Sequence, residues 1–276
     1  MHCSKRNLSN KYSCGKFFRD NFLTAGTQGD AGDYSCETPR ALLQLRGCIP
    51  DTYHATGISF KKIFMMNVLS LLTMTLAAFS LLCLLILHFV SPEYKPSWRM
   101  ISEYAMGKYK WLLTSFFLCW GISSLFLSLV LWNKVTGIWG SIGVILLFIS
   151  AIGEVMGGLF DVKHKHHGLA ALLGVPTLPI AALLIGYNLI QTRSMELQAS
   201  GILISSHATW LSFVLMGLTM AIMITGFKKS GIPMGPNTEP PTSVPPGVIA
   251  LAGYANRILV LCYIGWLIVV AQNYTA

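Results

Sequence analysis

VLSLLTMTLAAFSLLCLLILHFV, the stretch Val68–Val90, runs 23 residues without a formally charged side chain. A helix needs about 20 apolar residues to cross the ~30 Å hydrocarbon layer of a bilayer. Five more stretches of the same kind follow: Trp111–Trp132, Ile138–Phe160, Gly168–Gln191, Ile202–Phe227 and Val248–Gln272. Only Glu154 and Arg257 carry a formal charge inside the six. In hydrocarbon every backbone N–H and C=O must be bonded within the protein, which leaves helices or closed barrels. Barrel strands alternate apolar and polar residues. These runs are continuous, so they predict an all-α polytopic membrane protein, a bundle of six transmembrane helices.

Composition agrees with that reading. Of the 276 residues, 53% are hydrophobic and 11% charged, against about 25% charged in soluble domains. The net charge of +9 is no sign of nucleic-acid binding, because basic residues of membrane proteins flank their helices. Nine of the 20 Lys and Arg precede the first stretch. Seven of them belong to a basic tail, residues 1–60, read as poorly ordered because no helical or strand period persists in it. It has no secretory signal. Met65 and Met66 offer an alternative start, so part of the tail is expected to be a start-site artefact. Residues 61–276 then form the transmembrane domain. Cys83, Cys119 and Cys262 read as small apolar fillers. Cys3, Cys14, Cys36 and Cys48 lie in the tail without metal-type spacing.

The loops differ in character. The first, Ser91–Lys110, mixes aromatic and cationic residues as interfacial segments do. The second is a tight turn at Asn133–Gly137, and the third is the polar link Asp161–His167. The fourth is Thr192–Ser200, and the fifth, Lys228–Gly247, holds six prolines and is expected to run extended. The first, third and fifth carry eight Lys and Arg against two in the others. Near the helix ends the tail adds Arg46, Lys61 and Lys62 to the minority side. Positive-inside counting therefore puts the odd loops in the cytoplasm.

Six spans bring the odd loops to one face, and that face collects polar residues. Ser102 and Glu103 precede the second helix, Asp161, His164, His166 and His167 follow the third, and Arg257 begins the sixth. Glu154 lies seven residues before Asp161, almost two helical turns, so both carboxylates are expected on one side about 10 Å apart. Intramembrane charges face the bundle interior or a water-filled cavity, and Arg257 is expected to pair with Asp161 or Glu103. The candidate cluster for a ligand or ion pair is Ser102, Glu103, Glu154, Asp161, His167 and Arg257. His164, His166 and His167 are a lesser candidate for metal, which needs three or four converging ligands, and Lys163 and Lys165 oppose it. His167 with His207 is the one axial pair on offer for a haem.

Several features have structural readings. Ser102 reads as a helix-start cap. Gly153 and Gly157 form a small face for close helix approach, from a partner membrane protein, a second copy or this chain itself. Pro176 and Pro179 should kink the fourth helix. No Walker, dinucleotide, Gly-x-Ser-x-Gly or His-Glu-x-x-His motif is present. No cofactor and no catalytic residue is assigned, and the balance leans away from an enzyme.

Three segments share a resemblance. They are Ile101-Ser-Glu-Tyr-Ala-Met-Gly-Lys-Tyr-Lys-Trp-Leu-Leu113, then Gly157-Gly-Leu-Phe-Asp161 with His167, then Gly253-Tyr-Ala-Asn-Arg257-Ile-Leu-Val-Leu-Cys-Tyr-Ile-Gly-Trp266. In that order they resemble the domain-of-unknown-function 998 family, over roughly residues 65–272. The resemblance implies a six-helix protein of a prokaryotic plasma or inner membrane, with no known activity. Ser102, Glu103, Asp161, His167 and Arg257 carry the family pattern. Glu154, His164 and His166 depart from it. Three functions are open at this stage. The first is a non-enzymatic module binding a membrane lipid, small hydrophobe or partner helix. The second is a proton- or ion-coupled carrier. The third is an intramembrane metal-dependent lipid hydrolase.

Overall fold

In the computed structural model, residues 52–192, 196–232 and 241–275 are described. The expected tail up to residue 51, its four cysteines, and parts of the fourth and fifth loops lie outside them. The described residues hold seven α-helices and no strand. These are α1 Thr52–Val90, α2 Lys110–Trp132, α3 Gly137–Leu159, α4 His167–Gly174, α5 Thr177–Thr192, α6 Glu196–Lys229 and α7 Ala252–Gln272. With α4 and α5 counted as one broken span, six segments are long and apolar enough to cross a bilayer. The chain is a multi-pass integral membrane protein. Leu85, Phe89, Ile145, Ile204 and Leu218 point outward from the helices, as lipid-facing residues do.

The first helix starts earlier than expected. Residues 52–60, assigned to the poorly ordered tail, are its opening turns. Pro50 and Pro92 bracket α1 in sequence and none intervenes, so nothing within it breaks the backbone ladder.

Glycines set the tightest approaches. A Cβ on Gly121 of α2 would meet the Ala151 carbonyl oxygen of α3 at 2.9 Å, and one on Gly153 would meet the Gly174 backbone nitrogen at 2.3 Å. The close approach expected at Gly153 is thus made within the chain, by the end of α4. Gly157 faces the Phe117 ring at 3.3 Å. The α2–α3 turn is closed by Asn188 of α5, which accepts from the Thr136 N–H (3.0 Å) and donates to the Thr136 carbonyl (2.7 Å). Ser123 of α2 donates to the Thr73 carbonyl of α1, and the Trp266 indole of α7 donates to Ser206 of α6.

The fourth span breaks at Pro176, as its sequence predicts. The break leaves carbonyls of the last α4 turn without helical donors, Pro179 has no N–H for the Val175 carbonyl four residues before it, and orphaned carbonyls in hydrocarbon need other partners. Hydroxyls supply them. Thr177 donates to the Leu173 carbonyl, Ser150 reaches the Gly174 carbonyl at 3.0 Å, and Tyr263 donates to the Val175 carbonyl at 2.6 Å.

The first loop folds back over the bundle. Its residues Ile101–Met106 form a 3₁₀ turn. The Ser97 carbonyl accepts the Gly253 N–H (3.0 Å), and Asn256 Oδ1 accepts the Ile101 N–H (3.0 Å). The start of α7 is thereby capped from the loop. Ser102 makes no cap of its own. It lies inside the 3₁₀ turn, preceded by Met100 at the cap position, and α2 begins only at Lys110.

Candidate functional site

A cavity of about 300 Å³ opens among the 3₁₀ turn and helices α2, α3, α4, α6 and α7. Most of its wall is apolar: Phe117 and Trp120 from α2, Ala170 and Ala171 from α4, Met216 and Met220 from α6, Leu259 and Val260 from α7. Four polar side chains join them: Ser102, Glu154, His167 and Asn256. Glu154 lines it and is itself buried, 3% exposed. It is five residues before the end of α3, about 8 Å along the helix. Ser102, His167 and Asn256 are half-buried, toward the odd-loop side.

Among the described residues Glu154 has no cation beside it. Ser124 of α2 donates to its Oε2 at 2.6 Å, and Ser150, one turn earlier on α3, lies 2.9 Å from its Oε1. The Ser150 hydroxyl has one hydrogen and two neighbours. Given to the Gly174 carbonyl, which only accepts, that hydrogen leaves Ser150 Oγ to accept a proton from Glu154. A neutral carboxyl then satisfies every member of the chain from Glu154 through Ser150 to Gly174. An ionised one takes the Ser150 hydrogen and strips the Gly174 carbonyl of it.

Two further groups in the wall are underused. The Trp120 indole N–H is buried and has no acceptor among the described residues. The Asn256 amide donates, among the described residues, to the Met216 sulfur at 3.5 Å. His167 donates from Nδ1 to the Phe160 carbonyl (3.1 Å), which leaves Nε2 as an acceptor.

The other expected members of the cluster lie elsewhere. Arg257 is buried but pairs with neither Asp161 nor Glu103. Its Nε donates to His88 Nε2 at 2.7 Å, one terminal nitrogen donates to the Arg99 and Gly253 carbonyls at 2.8 Å, and the other reaches the Tyr104 hydroxyl at 3.3 Å. His88 Nδ1 lies 2.6 Å from the Leu84 carbonyl, so that nitrogen carries the hydrogen and Nε2 accepts. An arginine's charge is thus held by neutral acceptors, which α1 and the first loop supply at the right places.

Glu103 pairs instead with Arg99, one turn away, at 3.1 Å. Burial pushes its carboxyl above the ordinary value, against the pull of Arg99 and, further off, Arg257. Asp161 lies beyond the end of α3 at Leu159, so the helical reckoning that aligned it with Glu154 does not apply. It faces Lys110 of α2 at 3.1 Å and accepts the Lys163 N–H. The lysine bond holds its carboxyl below the usual range.

The three loop histidines do not converge. The His164 ring stacks on Phe160 at 4.4 Å, and its Nδ1 accepts the His166 N–H. His167 turns to the Phe160 carbonyl. Among the described residues no three His, Cys, Asp or Glu come together as metal ligands. The haem pairing also fails. His207 is engaged by Tyr187 of α5 and Trp210 of its own helix, away from the loop that holds His167.

Sequence reasoning missed Ser150, Ser124, Trp120 and Asn256. The four-residue spacing of Ser150 and Glu154 signals one helical face. The others come from separate helices and leave no local signal.

No curated protein and no solved structure matches the chain. A family match covers residues 75–273, which include every helix that lines the cavity. The chain belongs to the family described as protein of unknown function (DUF998).

Proposed function

We propose that the protein is a non-enzymatic membrane module that binds a small, largely apolar ligand in the cavity that Glu154 lines. The observation that carries the reading is the cavity itself. Its volume is at the lower end of the range usual for small-molecule sites, about 300–1,000 Å³, and its wall is apolar with few polar groups. A ligand drawn from the bilayer would bury its body against Met216, Met220, Leu259 and Val260. Its polar end would meet Ser102, His167, Asn256 or Glu154. Residence in a prokaryotic plasma membrane belongs to the same proposal and rests on the family resemblance.

The experiment is native mass spectrometry of the full chain in mild detergent, wild type beside Ala171→Phe. Ala171 lines the cavity yet is exposed, so a larger side chain there obstructs the cavity without overfilling the core. A stoichiometric small adduct on the wild type, lost in the variant, is the expected result. Bare wild-type protein, or an adduct indifferent to the substitution, overturns the reading.

A second reading, a proton-coupled carrier, is favoured by one observation. Glu154 is a buried acid with only hydroxyl partners, next to a cavity. Intramembrane acids in such places mark ion and proton pathways. Unchanged proton flux in Glu154→Gln proteoliposomes would count against it.

A further inference from the structure

We infer that the cavity selects a lipophilic amine, whose ammonium replaces the proton held by Glu154. This inference rests on the binding reading above and narrows its ligand to one chemical class.

The argument starts from charge. Among the described residues Glu154 is the one acid in the cavity wall, and no Lys or Arg lines it. The nearest candidates are engaged elsewhere: Arg257 with His88 and two carbonyls, Lys110 with Asp161, Arg99 with Glu103. A carboxylate buried at this depth needs a proton or a cation. The Ser124 and Ser150 hydroxyls sit where either form can be held. With a proton on Oε1, the chain through Ser150 to the Gly174 carbonyl is complete. With the proton gone, both hydroxyls turn to the carboxylate, and its remaining charge faces the cavity. An anionic ligand is repelled there. A neutral ligand leaves the carboxyl protonated and gains a hydrogen bond from it at most.

The rest of the wall suits a cation with an apolar body. Phe117 and Trp120 lie nearly parallel, 14° apart in plane, with centroids 6.1 Å apart. Aromatic rings and thioether sulfurs are polarizable surfaces that tolerate an alkylammonium, and Met216 and Met220 supply the sulfurs. The half-buried rim leaves room for a tail to reach lipid.

Other titratable groups face Glu154 weakly. His167 of α4 lines the same cavity and is turned to the Phe160 carbonyl. Tyr263 of α7, in edge contact with Trp120, donates to the Val175 carbonyl. From α2 come Ser124, Trp120 and Phe117, none of which titrates near neutral pH. The exchange is balanced: the protonated Glu154 carboxyl and a free ammonium become a carboxylate–ammonium pair, and one proton leaves to water.

The test uses the purified full chain in mild detergent with three probes of equal chain length: decylamine, the neutral N-decylacetamide, and decanoate. Isothermal titration calorimetry in buffers of different ionisation enthalpy counts the protons released. The expected result is saturable amine binding with one proton released, and binding at least about tenfold weaker for the amide and the acid. Amine affinity should rise with pH, by up to about tenfold per unit while free Glu154 is protonated. Glu154→Gln should bind amine and amide alike and release no proton. Ser150→Ala, which keeps the carboxylate, should retain amine preference with altered pH dependence, so a misfolded Gln variant cannot pass for support. Equal amine and amide binding, or no proton release, overturns the amine assignment while leaving the binding reading intact. Binding of no probe, with no native adduct, overturns both.

Discussion

Replacing Gly153 by Ala tests the contact on which the site depends. The added Cβ would stand 2.3 Å from the Gly174 nitrogen, 2.7 Å from its Cα and 2.7 Å from the Leu173 carbonyl carbon, where ordinary contact begins at 3.4 Å. All three neighbours are backbone, so no side chain can rotate away. The end of α4 must move off α3 by about 1 Å, and overpacking of this kind costs about 1–3 kcal/mol. For a domain of this size each kcal/mol lowers the melting midpoint by about 2–4 °C. The expected loss is therefore about 2–12 °C in a tryptophan-fluorescence melt in detergent. The same movement stretches the 3.0 Å contact between Ser150 and the Gly174 carbonyl, which frees the Ser150 hydrogen for an ionised Glu154, so the pH dependence of amine binding should move to lower pH. Gly157→Ala is the control. Its nearest neighbour is the flexible Phe117 ring at 3.3 Å, and the expected cost stays below about 1 kcal/mol. Equal effects at the two positions would refute the reasoning. So would a change in oligomeric size with Gly157→Ala, which would return the glycine face to an interface between chains.

Three further outcomes follow from the geometry. Arg257→Lys should destabilise by about 1–3 kcal/mol in the same melt, because one ammonium cannot serve His88, two carbonyls and Tyr104 from the guanidinium's positions; a wild-type midpoint would show those bonds to be dispensable. Tyr263→Phe should cost about 1 kcal/mol by orphaning the Val175 carbonyl, which Pro179 four residues on cannot serve, read as faster amide exchange near residue 175. The folded value of Asp161 is depressed, so its small stabilising contribution is present above the unfolded carboxyl range and fades as pH falls through the folded value. Lys110→Met should move the Asp161 titration, followed by carbon NMR, upward toward the ordinary range, and an unmoved titration would remove Lys110 as the cause.

What was legible in the sequence was whatever run length and composition express. Continuous apolar stretches announced the six spans, and Pro176 announced the break. The helix ends were less legible, and the errors in the site grew from them. Asp161 was placed on the face of Glu154 because α3 was carried two residues too far. Ser102 was read as a cap because α2 was expected just after it, whereas a 3₁₀ turn intervenes. Pairing across helices left no trace at all. Nothing local says that Arg257 meets His88, 169 residues away, or that Lys110 meets Asp161. Charge counting favoured a carboxylate for each cation, and for Arg257 that rule failed because neutral carbonyls were closer and already desolvated.

The two charges inside the spans therefore play opposite parts. Arg257 has each side-chain nitrogen directed at an acceptor, and those acceptors tie α1, the first loop and α7 together. Such a group is finished, and changing it should damage the fold before it damages any activity. Glu154 has two hydroxyls for a carboxylate that accepts about four hydrogen bonds, and its open side faces a cavity. Such a group is unfinished, and changing it should spare the fold and alter what the cavity accepts. Glu154→Gln with an unchanged melt and altered ligand, beside Arg257→Lys with the reverse, is the outcome this division requires. The opposite pair of results would exchange the two roles.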